Sequence, residues 1–88
     1  LTIHVKGRLD TTTAPKLDEE INASLAGVEN LFLDLEGLEY ISSAGLRVIL
    51  ATEKKMAKQG KLVVRNANET IMEVFEITGF ADILNIEK

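Results

Sequence analysis

The twenty residues from Leu31 to Leu50 constrain the fold most, because a strand pattern, a short connection and a helix pattern follow one another there. The segment Leu31-Phe-Leu-Asp-Leu35 is a nearly continuous apolar run, which is typical of a strand covered on both faces. After a connection over residues 36–41, apolar residues repeat at helical spacing, at Leu46, Ile49, Leu50, Met56 and Ala57. We therefore expect a buried strand to lead into a buried helix, with the functional residues at the joint.

Ser42 and Ser43 lie where this helix begins, and two interpretations of them are open. Backbone N–H groups at a helix start have no partner inside the helix, and a serine hydroxyl that accepts from one of them is an N-cap. Alternatively, one hydroxyl is a phosphorylation site exposed at the turn, where free N–H groups and the helix dipole favour an anionic group. Gly45 is compatible with both, since its missing side chain allows a partner or a ligand to approach closely.

The rest of the chain alternates between strand and helix patterns. Leu1, Ile3 and Val5 alternate with polar residues in a first strand, after which Gly7-Arg-Leu-Asp10 leads the chain out of the sheet. The next predicted elements are a helix with N-cap candidates at Thr11–Thr13 and an end at Gly27, and a strand over Val28–Leu35. A helix over Ala44–Lys58 and a strand over Lys61–Arg65 follow. The last elements are a helix capped by the turn at Asn66–Asn68 and ended by Gly79, and a short element over 80–84. This order predicts an α/β fold, with a small parallel or mixed β-sheet of about four strands flanked by helices.

Charged and polar side chains follow the predicted strands. The loops after the carboxyl ends, which include Asp10 and Ser42-Ser43, are expected to gather along one rim, where open α/β sheets bind ligands. Asp34 is the one charge inside an apolar run, so it either has a partner at the strand's end or helps to shape the serine turn. Arg47 follows the serines by one helical turn, and it either pairs with a phosphate or is a solvated surface residue.

Length and charge narrow the class of protein. A chain of 88 residues supports one hydrophobic core, and its net charge of −4 argues against nonspecific binding to nucleic acid or to an anionic membrane surface. No apolar run approaches the roughly 18 residues needed to span a bilayer, and no signal-peptide pattern opens the chain, so a cytoplasmic location is expected. Because the chain begins at Leu1 rather than methionine, we expect an upstream segment.

The residues for catalysis or metal binding are few. Without cysteine there is neither a disulfide framework nor a thiolate metal site, and both phosphate-binding glycine motifs are absent. A serine hydrolase would require the fold to bring the single histidine, His4, next to Ser43. We therefore predict no enzyme, no metal and no cofactor. The residues alone predict an acidic α/β interaction domain. In such a domain another enzyme can modify a serine side chain that is not itself catalytic.

Three segments carry a resemblance to a known family. They are Asp34-Leu-Glu-Gly-Leu-Glu-Tyr-Ile-Ser-Ser-Ala-Gly-Leu-Arg-Val-Ile-Leu50, the preceding Gly7-Arg-Leu-Asp10, and Phe75-Glu-Ile-Thr-Gly-Phe80. Together they resemble a STAS domain of the bacterial anti-sigma-factor antagonist type, over almost the whole chain. The resemblance implies one domain over residues 1–88, with a further edge strand before Leu1.

The resemblance also implies a function and a set of site residues. Members of this family bind an anti-sigma factor that is also a serine kinase, and so free the sigma factor. Phosphorylation of a serine at the start of the second helix ends the complex, and a PP2C-type phosphatase reverses it. The family motif Asp-Ser-[Ser/Thr/Ala]-Gly-Leu places this phosphorylation on Ser43, less favourably on Ser42, which stands here in place of the family's acidic residue. The implied partner-binding residues are Asp10, Ser42, Ser43, Ala44, Gly45 and Arg47.

Two alternatives remain open at the level of the sequence. One is a STAS module of another regulatory or transport complex, in which the serine turn binds a partner without being phosphorylated. The other is a small hydrolase that uses Ser43 as its nucleophile, which requires a base within about 3 Å of the hydroxyl.

Overall fold

The structure is a computed structural model and describes residues 1–87. Its strands are β1 (Thr2–His4), β2 (Gly7–Leu9), β3 (Asn30–Asp34), β4 (Leu38–Ile41), β5 (Lys61–Arg65) and β6 (Asn85–Glu87). Its helices are α1 (Ala14–Ser24), α2 (Ser43–Met56), α3 (Glu69–Thr78) and the single turn α4 (Phe80–Ile83). No helix within these residues has both the length and the apolar character required to cross a membrane.

The strands form two sheets. The main sheet has the order β1-β3-β5-β6, and β2 pairs with β4 in a second sheet of two strands. Every strand pair within residues 1–87 is parallel. The predicted α/β fold with a sheet of about four strands and flanking helices is therefore confirmed.

The two-stranded sheet corrects the sequence interpretation of two segments. Residues 7–10 were expected to leave the sheet and residues 36–41 to be a plain connection, whereas both contain strands that pair with each other. Leu9 lies beside Ile41 in the register, and both side chains are buried. Pairing satisfies the backbone N–H and C=O groups that the burial of these side chains takes away from water.

One face of the main sheet forms the core. Ile3 lies beside Leu33, and Leu33 beside Val64, so these three buried side chains make one row across the sheet. On the opposite face Phe32 is only half-buried, and the Arg65 guanidinium lies 4.1 Å from the centre of its ring. The expectation that β3 is covered on both faces is therefore wrong for this side of the sheet, because a cation rather than a helix lies over Phe32.

Asp34, at the carboxyl end of β3, contacts β1, the turn after β3 and the residue that follows β5. Its Oδ1 accepts hydrogen bonds of 3.0 Å from Asn66 Nδ2 and from the Glu36 backbone N–H, and its Oδ2 lies 3.5 Å from His4 Nδ1. The Asn66 amide, followed by the Glu36 N–H, holds the pKa of this carboxyl below its ordinary value. The prediction that Asp34 has a partner at the end of its strand is confirmed. Its hydrogen bond to the Glu36 N–H shapes the turn after β3 rather than the serine turn.

Replacing Asp34 with asparagine is expected to destabilise the domain at neutral pH, by an amount that shrinks as the pH falls below the ordinary aspartate pKa of about 4. The folded carboxyl has a lowered pKa, so its stabilising effect is present above the unfolded pKa and is lost as the pH falls through the folded one. Urea unfolding across this pH range measures the effect. Asp18→Asn is the control, because the Asp18 carboxylate has no hydrogen bond or ion pair within residues 1–87; an equal pH dependence in both variants would contradict the assignment.

Candidate functional site

The carboxyl ends of β2 and β4 lie side by side and bring the predicted site residues together. The backbone N–H of Ser42 donates to the Leu9 carbonyl at 2.8 Å, directly after the paired residues Leu9 and Ile41. Asp10 follows Leu9, and Ser43 follows Ser42. The two segments that the sequence placed on one rim therefore meet at the end of the small sheet.

Ser42 is the N-cap of α2. Its backbone is extended, and its Oγ accepts from the Gly45 N–H at 3.4 Å. Its carbonyl accepts from the Leu46 N–H at 3.0 Å, which begins the helix. The capping interpretation therefore applies to Ser42, which is half-buried, and leaves Ser43 without that role.

Ser43 is the first residue of α2 and is exposed. Within residues 1–87 its hydroxyl has no hydrogen-bond partner, so no general base contacts it there. His4, the residue that a serine hydrolase would need, faces Asp34 in the main sheet instead. The arrangement leaves the Ser43 hydroxyl accessible to another protein and gives the hydrolase alternative no support.

Gly45 and Ala44 continue the first turn of α2. Gly45 is buried, and a Cβ at this position would lie 2.8 Å from Leu9 Cγ and 2.9 Å from Ile41 Cγ1. The missing side chain therefore lets α2 pack against the small sheet inside the domain. Ala44 is half-buried beside it, and contact of either residue with a partner stays a prediction.

Asp10 is held in one orientation by the loop before α1. Its Oδ1 accepts from the backbone N–H groups of Thr12 at 3.0 Å and Thr13 at 3.1 Å. The Thr13 bond, followed by the Thr12 bond, holds the pKa of the Asp10 carboxyl below its ordinary value. The sequence predicted a threonine as the N-cap of α1. Thr13 does occupy the N-cap position, but its side chain accepts no hydrogen bond from the N–H groups of the helix. Asp10 is the side-chain acceptor before this helix instead.

Two arginines flank the site. Arg47 is exposed and lies four residues after Ser43 on α2, a spacing that places both side chains on the same face. The Arg8 guanidinium lies 4.3 Å from the centre of the Tyr40 ring, and its Nε lies 3.7 Å from Asp10 Oδ2. The sequence interpretation did not select Arg8. The available signal was its spacing of two residues from Asp10, because residues two apart in an extended segment lie on the same side of the chain.

The comparison with known proteins identifies the family. The sequence profile of the STAS domain family matches residues 1–88. This chain belongs to the STAS domain family. The predicted resemblance is therefore confirmed, and the strand, serine turn and helix described above are those of a STAS domain.

Relatives of this STAS domain are named as anti-sigma factor antagonists. BtrV of Bordetella bronchiseptica, which carries that name, is 39% identical over 84 residues, covering 93% of this chain and 72% of BtrV. The anti-sigma-B factor antagonist of Bacillus subtilis is 32% identical, covering 98% of this chain and 80% of that protein. A crystal structure of an anti-sigma factor antagonist from Mycobacterium paratuberculosis is similar with a TM-score of 0.88 and 28% identity, covering 97% of this chain and 74% of that one.

Replacing Ser42 with alanine is expected to lower the free energy of unfolding of this STAS domain by about 1 kcal/mol, since it removes the side-chain acceptor at the start of α2. Ser43→Ala is the matched control one residue away, and it is expected to change stability by less than about 0.5 kcal/mol because its hydroxyl is exposed. Chemical denaturation measures both. A larger loss for Ser43→Ala than for Ser42→Ala would contradict the assignment of the cap.

Proposed function

We propose that this chain, as one STAS domain over residues 1–88, is an anti-sigma factor antagonist that binds an anti-sigma factor through the rim around Ser43. The single observation that carries the proposal is the exposed Ser43 at the first position of α2, in a segment hydrogen-bonded to the one that leads into Asp10. The names of the relatives support it. The proposed contact residues are Asp10, Ser42, Ser43, Ala44, Gly45 and Arg47.

The proposal includes a switch by phosphorylation. The anti-sigma factor is itself a serine kinase that phosphorylates Ser43, and a PP2C-type phosphatase removes the phosphate. A phosphate adds about 1.5 to 2 negative charges at a helix start, where the dipole and free N–H groups accommodate it. Arg47 lies at the right spacing to pair with it on the same helix face. The added charge then lies on the surface that the unmodified domain presents to its partner, and it opposes binding to an acidic or apolar surface.

The proposed partners also determine where the protein acts. Anti-sigma factors regulate transcription, so we place this domain in the cytoplasm. It frees the sigma factor by binding the anti-sigma factor, without direct binding to nucleic acid or to a membrane.

Incubation with an anti-sigma factor kinase of the same organism and ATP, followed by intact-mass measurement, tests the proposal. The wild type and Ser42→Ala are expected to gain the mass of one phosphate, and Ser43→Ala none. Retained modification of Ser43→Ala would contradict the assignment of the residue. A wild type that binds the kinase but gains no phosphate would support the alternative, a STAS module that binds its partner without being phosphorylated.

A further inference from the structure

An arginine stacked on a tyrosine lies on the outward face of the small sheet. Arg8 and Tyr40 are paired in the register of β2 and β4, and the next pair, Leu9 and Ile41, is buried. Because adjacent residues of a strand point to opposite faces, the Arg8 and Tyr40 side chains point away from the core. The guanidinium carbon lies 4.3 Å from the centre of the ring, and the Arg8 side chain is 63% exposed. The stack is therefore accessible to another protein.

The guanidinium of Arg8 keeps its hydrogen-bond donors. Its Nε lies 3.7 Å from Asp10 Oδ2, which is close enough for an ion pair and too long for a hydrogen bond. The Asp10 carboxylate is held at this distance, because its Oδ1 accepts from the backbone N–H groups of Thr12 and Thr13. Within residues 1–87 the Arg8 side chain donates no hydrogen bond. A guanidinium has five N–H donors and no acceptor, so a group that binds there has to be an acceptor.

The charges around the stack balance one another. The segments 6–10 and 36–47, which contain both strands and the serine turn, carry three residues of each sign: Lys6, Arg8 and Arg47, and Asp10, Glu36 and Glu39. Within residues 1–87 only Asp10 lies within ion-pair distance of Arg8. Net charge therefore does not select the group that binds here, whereas the unbonded donors of Arg8 do.

The stack borders the proposed binding surface. The residue after Arg8 is Leu9, whose carbonyl accepts from the Ser42 N–H at 2.8 Å, and the next residue of α2, Ser43, is exposed. A protein that contacts both Asp10 and Ser43 therefore also lies against the stack. Arginine and tyrosine are enriched among the interface residues that contribute most to affinity, and a side chain that is already held in place loses less conformational entropy on binding.

We propose that the stack of Arg8 on Tyr40 anchors the anti-sigma factor, and that Arg8 binds an aspartate or glutamate side chain of that protein. The inference rests on the proposed function and names the chemistry of its partner. A carboxylate accepts two parallel N–H bonds from a guanidinium, and such bonds are stronger than those to a neutral acceptor. The anchor also accounts for the direction of the switch. A phosphate on Ser43 adds negative charge next to the place where the partner's carboxylate binds, and like charges repel.

Calorimetric titration with the anti-sigma factor kinase of the phosphorylation test, without ATP, measures the anchor. Arg8→Gln is expected to weaken binding about tenfold or more, as is typical of an interface residue that contributes strongly. Arg8→Lys keeps the charge and loses the paired donors, so it is expected to recover only part of this affinity. Lys54→Gln removes an exposed positive charge near the other end of α2 and is the matched control, expected to bind as the wild type does.

Two variants of Tyr40 test the stack itself. Tyr40→Leu is expected to weaken binding about threefold, because the ring no longer holds the guanidinium in place. Tyr40→Phe keeps the ring and is expected to recover most of that loss. Urea unfolding of Arg8→Gln and Tyr40→Leu is expected to show midpoints close to that of the wild type, since both side chains are exposed. A loss of binding without a loss of stability then arises at the interface.

Charge reversal identifies the carboxylate of the partner. Arg8→Glu is expected to weaken binding about 100-fold, and replacing one aspartate or glutamate of the anti-sigma factor with arginine is expected to restore it. If no such replacement restored binding, the partner's carboxylate would be overturned. Wild-type affinity in Arg8→Gln would overturn the anchor and leave the proposed function standing, because binding itself persists. Absence of binding by the wild type would instead contradict the proposed function, and the anchor with it.

Discussion

Ser43→Asp is expected to weaken binding of this STAS domain to the proposed anti-sigma factor by about 10- to 100-fold, because like charges brought together at an interface cost several kcal/mol. Ser43 is exposed and has no hydrogen bond within residues 1–87, so the substitution removes no internal contact. A carboxylate at the first position of a helix is favourable to the helix itself. Any loss of affinity therefore arises at the interface. Calorimetric titration of the anti-sigma factor measures it.

Two control variants separate charge from size and position. Ser43→Asn has nearly the size of the aspartate without its charge, and it is expected to lose less affinity. Thr70→Asp adds the same charge to an exposed residue in the first turn of α3, away from the serine turn, and it is expected to bind as the wild type does. Equal affinities of wild type and Ser43→Asp would contradict the proposed switch.

Gly60→Ala is expected to destabilise the domain by about 3 kcal/mol or more, the upper range for overpacking. A Cβ on Gly60 would lie 1.8 Å from the Glu29 carbonyl oxygen and 2.6 Å from its carbon. These backbone atoms are not free to move aside, because the same oxygen accepts from the Lys61 N–H at 2.9 Å and the next residue pairs with Lys61 in the sheet. Urea unfolding measures the loss.

Gly27→Ala is the matched control for this effect. Gly27 has a φ of +76°, and an added Cβ meets nothing within 4 Å, so only the cost of a left-handed backbone applies, about 1 to 2 kcal/mol. The difference between the two variants is therefore the steric contribution at Gly60. If Gly27→Ala proved as destabilising as Gly60→Ala, the close approach of the Glu29 backbone would not be the cause.

Long or strongly marked elements could be predicted from the sequence. The helical spacing of apolar residues after Ser43 predicted α2, and the apolar run before it predicted β3. The limits of α3 also follow from local chemistry, since Asn68 caps its start at 2.9 Å and Gly79 ends it with a φ of +82°. These features depend on residues close together in the chain, which is why the sequence is sufficient for them.

Features that depend on distant residues could not be predicted in the same way. In β4 the buried residues are Leu38 and Ile41, three apart, so the strand lacks the period of two that identifies strands. The sequence did not decide which of Ser42 and Ser43 is the N-cap, because the answer depends on which residue has the extended backbone. A cavity lined by Ala67, Met72 and Ile86 was not predicted, because these residues meet only when β6 pairs with β5.

The backbone contact between Ser42 and Leu9 has a mechanical consequence. Together with the pairing of β2 and β4, it joins the segment that ends in Asp10 to the segment that begins α2, so a displacement of one segment also displaces the other. A protein that contacts both Asp10 and the serine therefore binds one continuous surface, although the two residues lie far apart along the chain.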